Sequence, residues 1–391
     1  MNVSQGAGSD RPFAVIAGGG TGGHAVPALA IGRALVARGH EPGSVHFVGS
    51  SRGIEARLVP AAGFPLTLLP GRGIVRRLSV DNVGAAWGLS RAVAQAFAFL
   101  ARRRPHVVVS VGGYASVPCA VAAAALRIPI VVHEQNAVPG AANRLTARFA
   151  KASAVSYPHT PLPRAVVTGN PVRPEILTVE RTPAARDAAR TALGLAPDRV
   201  VVGVFGGSLG ALRINKAVLA ALPRWRERHD LAVRHVVGER DWQLVNDELA
   251  ALPAPSPAKP GGMSAGPGLQ YQPVRYEDRM DLLLAAADLC VCRAGGNTVA
   301  ELAVVGMPAV LVPLPNAPGD HQTANARVFE QAGAAVLVPD AELDGDRLVV
   351  EVERLLGDPD RLSAMGAAAT GLARPDAADA VAALAEEHAG G

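Results

Sequence analysis

The chain has 391 residues, 49% apolar and 18% charged, with a formal net charge of +4. At roughly 100–200 residues per domain this is a globular chain of two domains, three at the outside, and so small a charge excess leaves no footprint for nucleic acid. Three cysteines (Cys119, Cys290, Cys292) and no Cys/His cluster at zinc-ligand spacing exclude a disulfide mini-protein, and point to a reducing cytosol without a structural metal.

In chain order, the polar opening MNVSQGAGSDRP lacks the apolar core of a signal peptide. A strand over 13–17 (FAVIA) then runs into GGGTGGH, Gly18 to His24, with a helix expected from about Val26. Glycines let backbone N–H groups approach an anion, and a helix N-terminus adds partial positive charge. A tight strand–helix turn needs one or two glycines, not five around Thr21, so phosphate or sugar-phosphate contact is expected. Gly18, Gly20 and Gly23 satisfy G-x-G-x-x-G, but the next strand, 45–48 (VHFV), ends in Gly49-Ser50-Ser51-Arg52 without the ribose-binding acid of a NAD enzyme. His24 also stands where a Walker lysine would. His24 reads either as an ordinary helix-start residue or as a proton acceptor beside the loop.

Segment 71–104 carries seven arginines against Asp81, interleaved with Ile74, Val75, Leu78 and Trp87. It is either a membrane-surface stretch or a solvated helix face over core residues. The strand 107–111 (VVVSV) precedes Gly112-Gly113-Tyr114, and 130–132 (IVV) precedes HEQN, His133–Asn136. Polar groups at the C-terminal ends of parallel strands sit where open α/β sheets bind ligands. HEQN lacks the second histidine of a zinc-protease motif. The apolar run near 117–132, broken by Arg127 and Pro129, is too short to cross a bilayer. Five prolines over 158–174 suggest a hinge at 169–175, dividing a domain of 1–168 from one of 176–391.

The strand 200–205 (VVVGVF) leads into GGSLG, Gly206–Gly210, repeating the opening of the chain, so two nucleotide-binding α/β units in tandem are expected. Ser208 would donate to a phosphate or cap the next helix. After strand 233–237 and a Pro/Gly-rich loop at 253–268, strand 289–292 (LCVC) runs into RAGGNTVAEL, Arg293–Leu302. Thr298 and Glu301 have capping-box spacing, while Glu301 could equally accept from a ribose diol. Beyond strand 309–312, Gln322 and Asn325 of DHQTANA share a helix face, turned to sugar hydroxyls or to solvent. Two Asp-x-Asp pairs, Asp344/Asp346 and Asp358/Asp360, read as helix caps rather than cation holders, and the tail from about 343 as amphipathic helix.

Taken in register, GGGTGGH, GGY, HEQN, GNPVR (Gly169–Arg173), GGSLG, CRAGGNTVAE and DHQTANA closely resemble the bacterial peptidoglycan glycosyltransferases that move N-acetylglucosamine from UDP-GlcNAc to lipid I, forming lipid II. The resemblance runs from residue 13 to about 340 and through most of the tail. It implies a GT-B fold, two Rossmann-like parallel-sheet domains facing across a cleft, with a tail helix able to pack back on the first. The donor would meet Thr21, Gly22, Gly23, Asn136, Arg173, Ser208, Gly295, Gly296, Asn297, Thr298, Glu301, Gln322 and Asn325. The acceptor would meet Gly20, Tyr114 and Glu134, with His24 the first choice of general base and Glu134 the second. The resemblance implies an inverting, metal-free and cofactor-free reaction, peripheral attachment to the anionic inner face of the cytoplasmic membrane, and no nucleic acid. Alternatives are a UDP-GlcNAc 2-epimerase on the same fold, an NADP-dependent oxidoreductase using Gly18–Gly23 with Arg52, and a non-catalytic sugar-nucleotide-binding scaffold.

Overall fold

The computed structural model describes residues 11–51, 53–70, 81–207, 210–251 and 268–389, without the side chains of 81–87. Arg52, the segment 71–80, Ser208 and most of the Pro/Gly-rich loop lie outside the described residues. The chain divides into two compact units, 1–173 with 374–391, and 174–373.

Among the described residues the first unit holds a seven-stranded sheet. Its strands are β1 (Ala14–Gly19), β2 (Val45–Ser50), β3 (Leu66–Leu69), β4 (Val107–Gly113), β5 (Ile130–Glu134), β6 (Ala152–Val155) and β7 (Ala165–Val167). All pair in parallel, in the order β3-β2-β1-β4-β5-β6-β7. Side chains alternate along a strand, so a sheet covered on both sides needs apolar residues at every position. In β1, Ala14 and Ile16 pack with Leu29, Ile31 and Leu35, while Val15 and Ala17 pack with Ala92, Ala96 and Leu100. Tail helix Ala377–Ala389 buries Val381, Ala382 and Ala385 in the first of these layers. Arg38 clasps it through Asp379 and Glu386, both at 2.8 Å, and His40 reaches Glu386 at 2.9 Å.

The second unit holds β8 (Val200–Phe205), β9 (Leu231–Val236), β10 (Gln270–Val274), β11 (Leu289–Cys292), β12 (Ala309–Leu311) and β13 (Ala335–Leu337). They form a parallel sheet in the order β10-β9-β8-β11-β12-β13. Cys119, Cys290 and Cys292 are buried free thiols, and burial pushes Cys119 and Cys290 up to about 12.

In each sheet the strand order reverses at one point, between β1 and β4 and between β8 and β11. The four loops leaving those strands are the Gly18–His24, Gly112–Tyr114, Gly206–Gly210 and Arg293–Thr298 motifs, which is where open parallel sheets present ligand sites. Strands β3, β6, β7, β10 and β13 are not predicted from the sequence. Four of them are sheet edges, where half-exposed positions dilute the apolar run, and β6 is four small residues, ASAV.

Candidate active site

The first helix begins at Gly22, four residues before the expected Val26, with Thr21 as its extended N-cap residue. Gly22, Gly23 and His24 therefore form its first turn, and His24 N–H and Ala25 N–H both donate to the Thr21 carbonyl, at 3.1 Å each. His24 Nδ1 lies 3.3 Å from Thr21 Oγ1. The Cδ2–Nε2 edge of the ring passes over Gly112, where a Cβ would stand only 3.0 Å from either atom. The absence of a side chain at Gly112 is what makes room for the imidazole. Gly20 N–H donates to Glu55 Oε2 at 2.8 Å and Ser50 N–H to Glu55 Oε1 at 2.7 Å. Glu55, 2% exposed, thus ties the glycine loop to the end of β2. This is the acid nearest the position a dinucleotide-binding fold reserves for the ribose, and it is spent on backbone amides instead.

Glu134, 1% exposed, is a loop clamp. Its Oε1 accepts from the Asn136 backbone (3.0 Å) and side chain (3.2 Å), and its Oε2 from Gly140 N–H and Asn143 Nδ2, both at 2.9 Å. That occupancy stands against the second-choice base assignment, because both oxygens already hold donors. Buried His133 donates through Nε2 to the Gly169 carbonyl (3.3 Å) and accepts at Nδ1 from Gln135 (3.2 Å), which fastens HEQN to the GNPVR motif. Burial lowers its pKa to about 4, so the ring is neutral. Tyr114 packs its ring on the core and donates its hydroxyl to the Pro70 carbonyl at 3.2 Å, and burial raises that hydroxyl. Its described contact anchors the end of β3. Half-buried Arg173 closes the first unit.

In the second unit, helix Gly296–Val305 begins after Gly295, its N-cap residue. Thr298 and Glu301 therefore both lie inside the helix, so the capping-box reading fails. Gly295, Gly296 and Asn297 form the helix start, where amide N–H groups lack intrahelical acceptors. Arg293 Nη1 braces this loop on the carbonyls of Val312 (3.1 Å) and Pro313 (3.0 Å) and on Asp340 (2.6 Å). Asn325, fully buried, donates to the Ala294 carbonyl at 3.0 Å, so it fixes the loop from below rather than facing solvent. Gln322 Oε1 accepts from Leu314 N–H at 2.9 Å. A cleft of about 860 Å³ runs past Gly206, Gly207, Gly210, Arg213, Arg293 and Gln322. Asp344 and Asp358 accept from Arg347 N–H (2.8 Å) and Arg361 N–H (2.9 Å) as helix N-caps.

Within 71–104, the helix Asp81–Arg103 turns Ala92, Ala96 and Leu100 into the core, and Phe97 is its exposed large apolar group among the described side chains. The structure gathers a different basic and apolar cluster, absent from the sequence reading. Leu145 and Phe149 are 41% and 53% exposed beside exposed Arg144, Arg148 and Lys151. The repeated pair of a basic and a large apolar residue, Arg144-Leu145 and Arg148-Phe149, is the sequence signal for it.

Residues 14–155 match the glycosyltransferase family 28 N-terminal domain, and residues 201–381 its C-terminal domain. A UDP-N-acetylglucosamine–N-acetylmuramyl-(pentapeptide) pyrophosphoryl-undecaprenol N-acetylglucosamine transferase from Nocardioides sp. is 46% identical over 364 residues, 93% of this chain and 94% of its own. The crystal structure of Acinetobacter baumannii MurG superposes with a TM-score of 0.72 at 28% identity, covering 96% of this chain and 99% of that one. A putative UDP-N-acetylglucosamine 2-epimerase from Listeria monocytogenes covers 96% of each chain with a TM-score of 0.66, but at 15% identity it shares the fold alone.

Proposed function

We propose that this chain, which belongs to glycosyltransferase family 28, transfers N-acetylglucosamine from UDP-GlcNAc to lipid I and so forms lipid II in peptidoglycan synthesis. The observation that carries this is identity of 46% to such a transferase over nearly the whole of both chains. The two GT-B units then divide the work: the first takes the lipid-linked acceptor, the second UDP-GlcNAc.

The reaction is a displacement at the anomeric carbon with inversion. His24 takes the proton of the attacking hydroxyl at Nε2, which requires its Nδ1–H to donate to Thr21 Oγ1, the contact seen at 3.3 Å. The departing diphosphate meets the helix N-terminus at Gly296 of the second unit, whose amides carry partial positive charge. Glu301 receives the ribose diol, Gln322 the sugar and Ser208 the diphosphate, and Arg173 belongs to the donor site. Tyr114, Glu134 and Asn325 shape the loops that carry these groups, as their hydrogen bonds to Pro70, Gly140 and Ala294 support. Attachment is peripheral, to the anionic inner face of the cytoplasmic membrane. Among the described residues no helix is long and apolar enough to cross a bilayer, and the exposed cluster around Phe149 offers both charge and apolar surface.

A transfer assay with UDP-GlcNAc and a lipid I analogue tests the reading. A disaccharide-linked product with stoichiometric UDP is expected. Conversion of UDP-GlcNAc to its 2-epimer without acceptor, or no turnover beside a folded protein, would sink it.

A further inference from the structure

We infer that a buried hydrogen-bonded line, Tyr271–His235–Asn215–Asp241, positions Gly210 at the end of the second glycine loop, with His235 the donor that holds Asn215 in place. The functional part of this rests on the reading of that loop as the donor diphosphate site.

His235 sits in β9, fully buried, with Val204 of β8 and Pro273 of β10 in register on either side. An imidazole there needs a partner for each nitrogen. Tyr271 Oη lies 2.8 Å from Nδ1, and Asn215 Oδ1 2.9 Å from Nε2. Asn215 Nδ2 donates to the Val237 carbonyl (3.0 Å) and to Asp241 Oδ2 (3.1 Å), so its oxygen must face the ring. Nε2 therefore carries the imidazole proton, and Nδ1 accepts from the Tyr271 hydroxyl. Burial lowers the histidine to about 3, which keeps it in this neutral form. Every hydrogen in the line points one way, from Tyr271 towards Asp241.

The far end of the line is the floor under Gly210. That residue has φ +85°, and a Cβ on it would stand 2.5 Å from the Val237 carbonyl oxygen and 2.9 Å from Asp241 Oδ2. These are the two acceptors that Asn215 holds. Gly210 N–H in turn donates to the Gly207 carbonyl at 2.9 Å, closing the turn. Without the imidazole, Asn215 Oδ1 loses the donor that holds it from the other side, and the amide is fixed only by the floor it is meant to support. An apolar trio would fill the same core space, so the polar line acts on orientation rather than bulk.

The test compares His235→Leu, His235→Gln and Tyr271→Phe by titration calorimetry with UDP and by steady-state kinetics. His235→Leu is expected to weaken UDP and raise donor KM about tenfold, and Tyr271→Phe about threefold, at unchanged kcat and acceptor KM. His235→Gln, which can still donate to Asn215 Oδ1, should recover most of the affinity. Should the leucine variant fail to fold, Tyr271→Phe, which removes a single oxygen, carries the test alone. Unchanged UDP affinity in the folded variants overturns the inference. So does an equal fall of kcat and both substrate affinities, the pattern of a damaged fold. A wild-type protein that does not bind UDP overturns the donor-loop reading itself.

Discussion

A general base must lie within reach of the proton it takes, in a form able to accept it. Four donors share the two oxygens of Glu134 and mark it as a clamp, whereas the His24 ring lies beside the first glycine loop, in space opened by Gly112. His24→Ala is therefore expected to lower kcat by roughly 10²–10⁴ while the protein stays folded. Glu134→Gln should leave kcat within about tenfold and instead lower the melting temperature, because a buried clamp of this kind is worth about 1–3 kcal/mol. A kcat that collapses in Glu134→Gln but survives in His24→Ala would reverse the assignment. For Glu301, the position inside its helix separates two outcomes that the sequence leaves mixed. With no cap to lose, Glu301→Ala should raise the KM for UDP-GlcNAc in a protein that still folds. A lower melting temperature at unchanged KM would mean that the carboxylate serves the fold.

At the scale of elements, the central strands and all four loops at the switch points are legible because doubly covered parallel strands are uninterrupted apolar runs and their exits are rich in glycine. The clamps are not legible. Glu55, Glu134 and Asn325 act on amides and carbonyls that only the folded loops turn toward them, so the sequence marks Glu134 and Asn325 as site candidates without showing that they are clamps. The tail is a third case. Its helix shows in the sequence as amphipathic, but its clasp to Arg38 and His40 spans more than 340 positions of chain. Arg38, and secondarily His40, hold the Glu386 carboxyl below the usual carboxylate range. A group depressed in the folded state stabilises above its unfolded pKa, and that contribution disappears as pH falls through the folded value. Wild type should therefore melt above Glu386→Gln near neutrality, with the gap closing as the solution is taken through the acidic carboxylate range. A gap that persists unchanged at the acid end would remove the ion pair from the account.

For the whole molecule, the acceptor sets the demand. A chain acting on a polyprenyl diphosphate meets it at a bilayer surface, and among the described residues no helix can cross that bilayer. The peripheral attachment proposed above calls for exposed basic and apolar groups. The end of helix Ala141–Thr146 presents Arg144 and Leu145 and the turn that follows presents Arg148 and Phe149, a turn that Arg164 pins through the Ala147 and Arg148 carbonyls at 2.8 and 3.3 Å. Each basic residue near an anionic leaflet contributes about 1 kcal/mol, within a Debye length of roughly 8–10 Å. Inserted apolar surface adds about 25 cal/mol per Å², and salt does not screen it. The two contributions separate experimentally. Arg144→Ser with Arg148→Ser should flatten the salt dependence of binding to anionic vesicles, whereas Leu145→Ser with Phe149→Ser should weaken binding at every salt concentration alike. Both pairs should slow turnover of a full-length lipid acceptor and spare a short-chain soluble one. Equal losses on the two acceptors would place these residues in the active site or the fold, and attachment would have to be sought elsewhere on the chain.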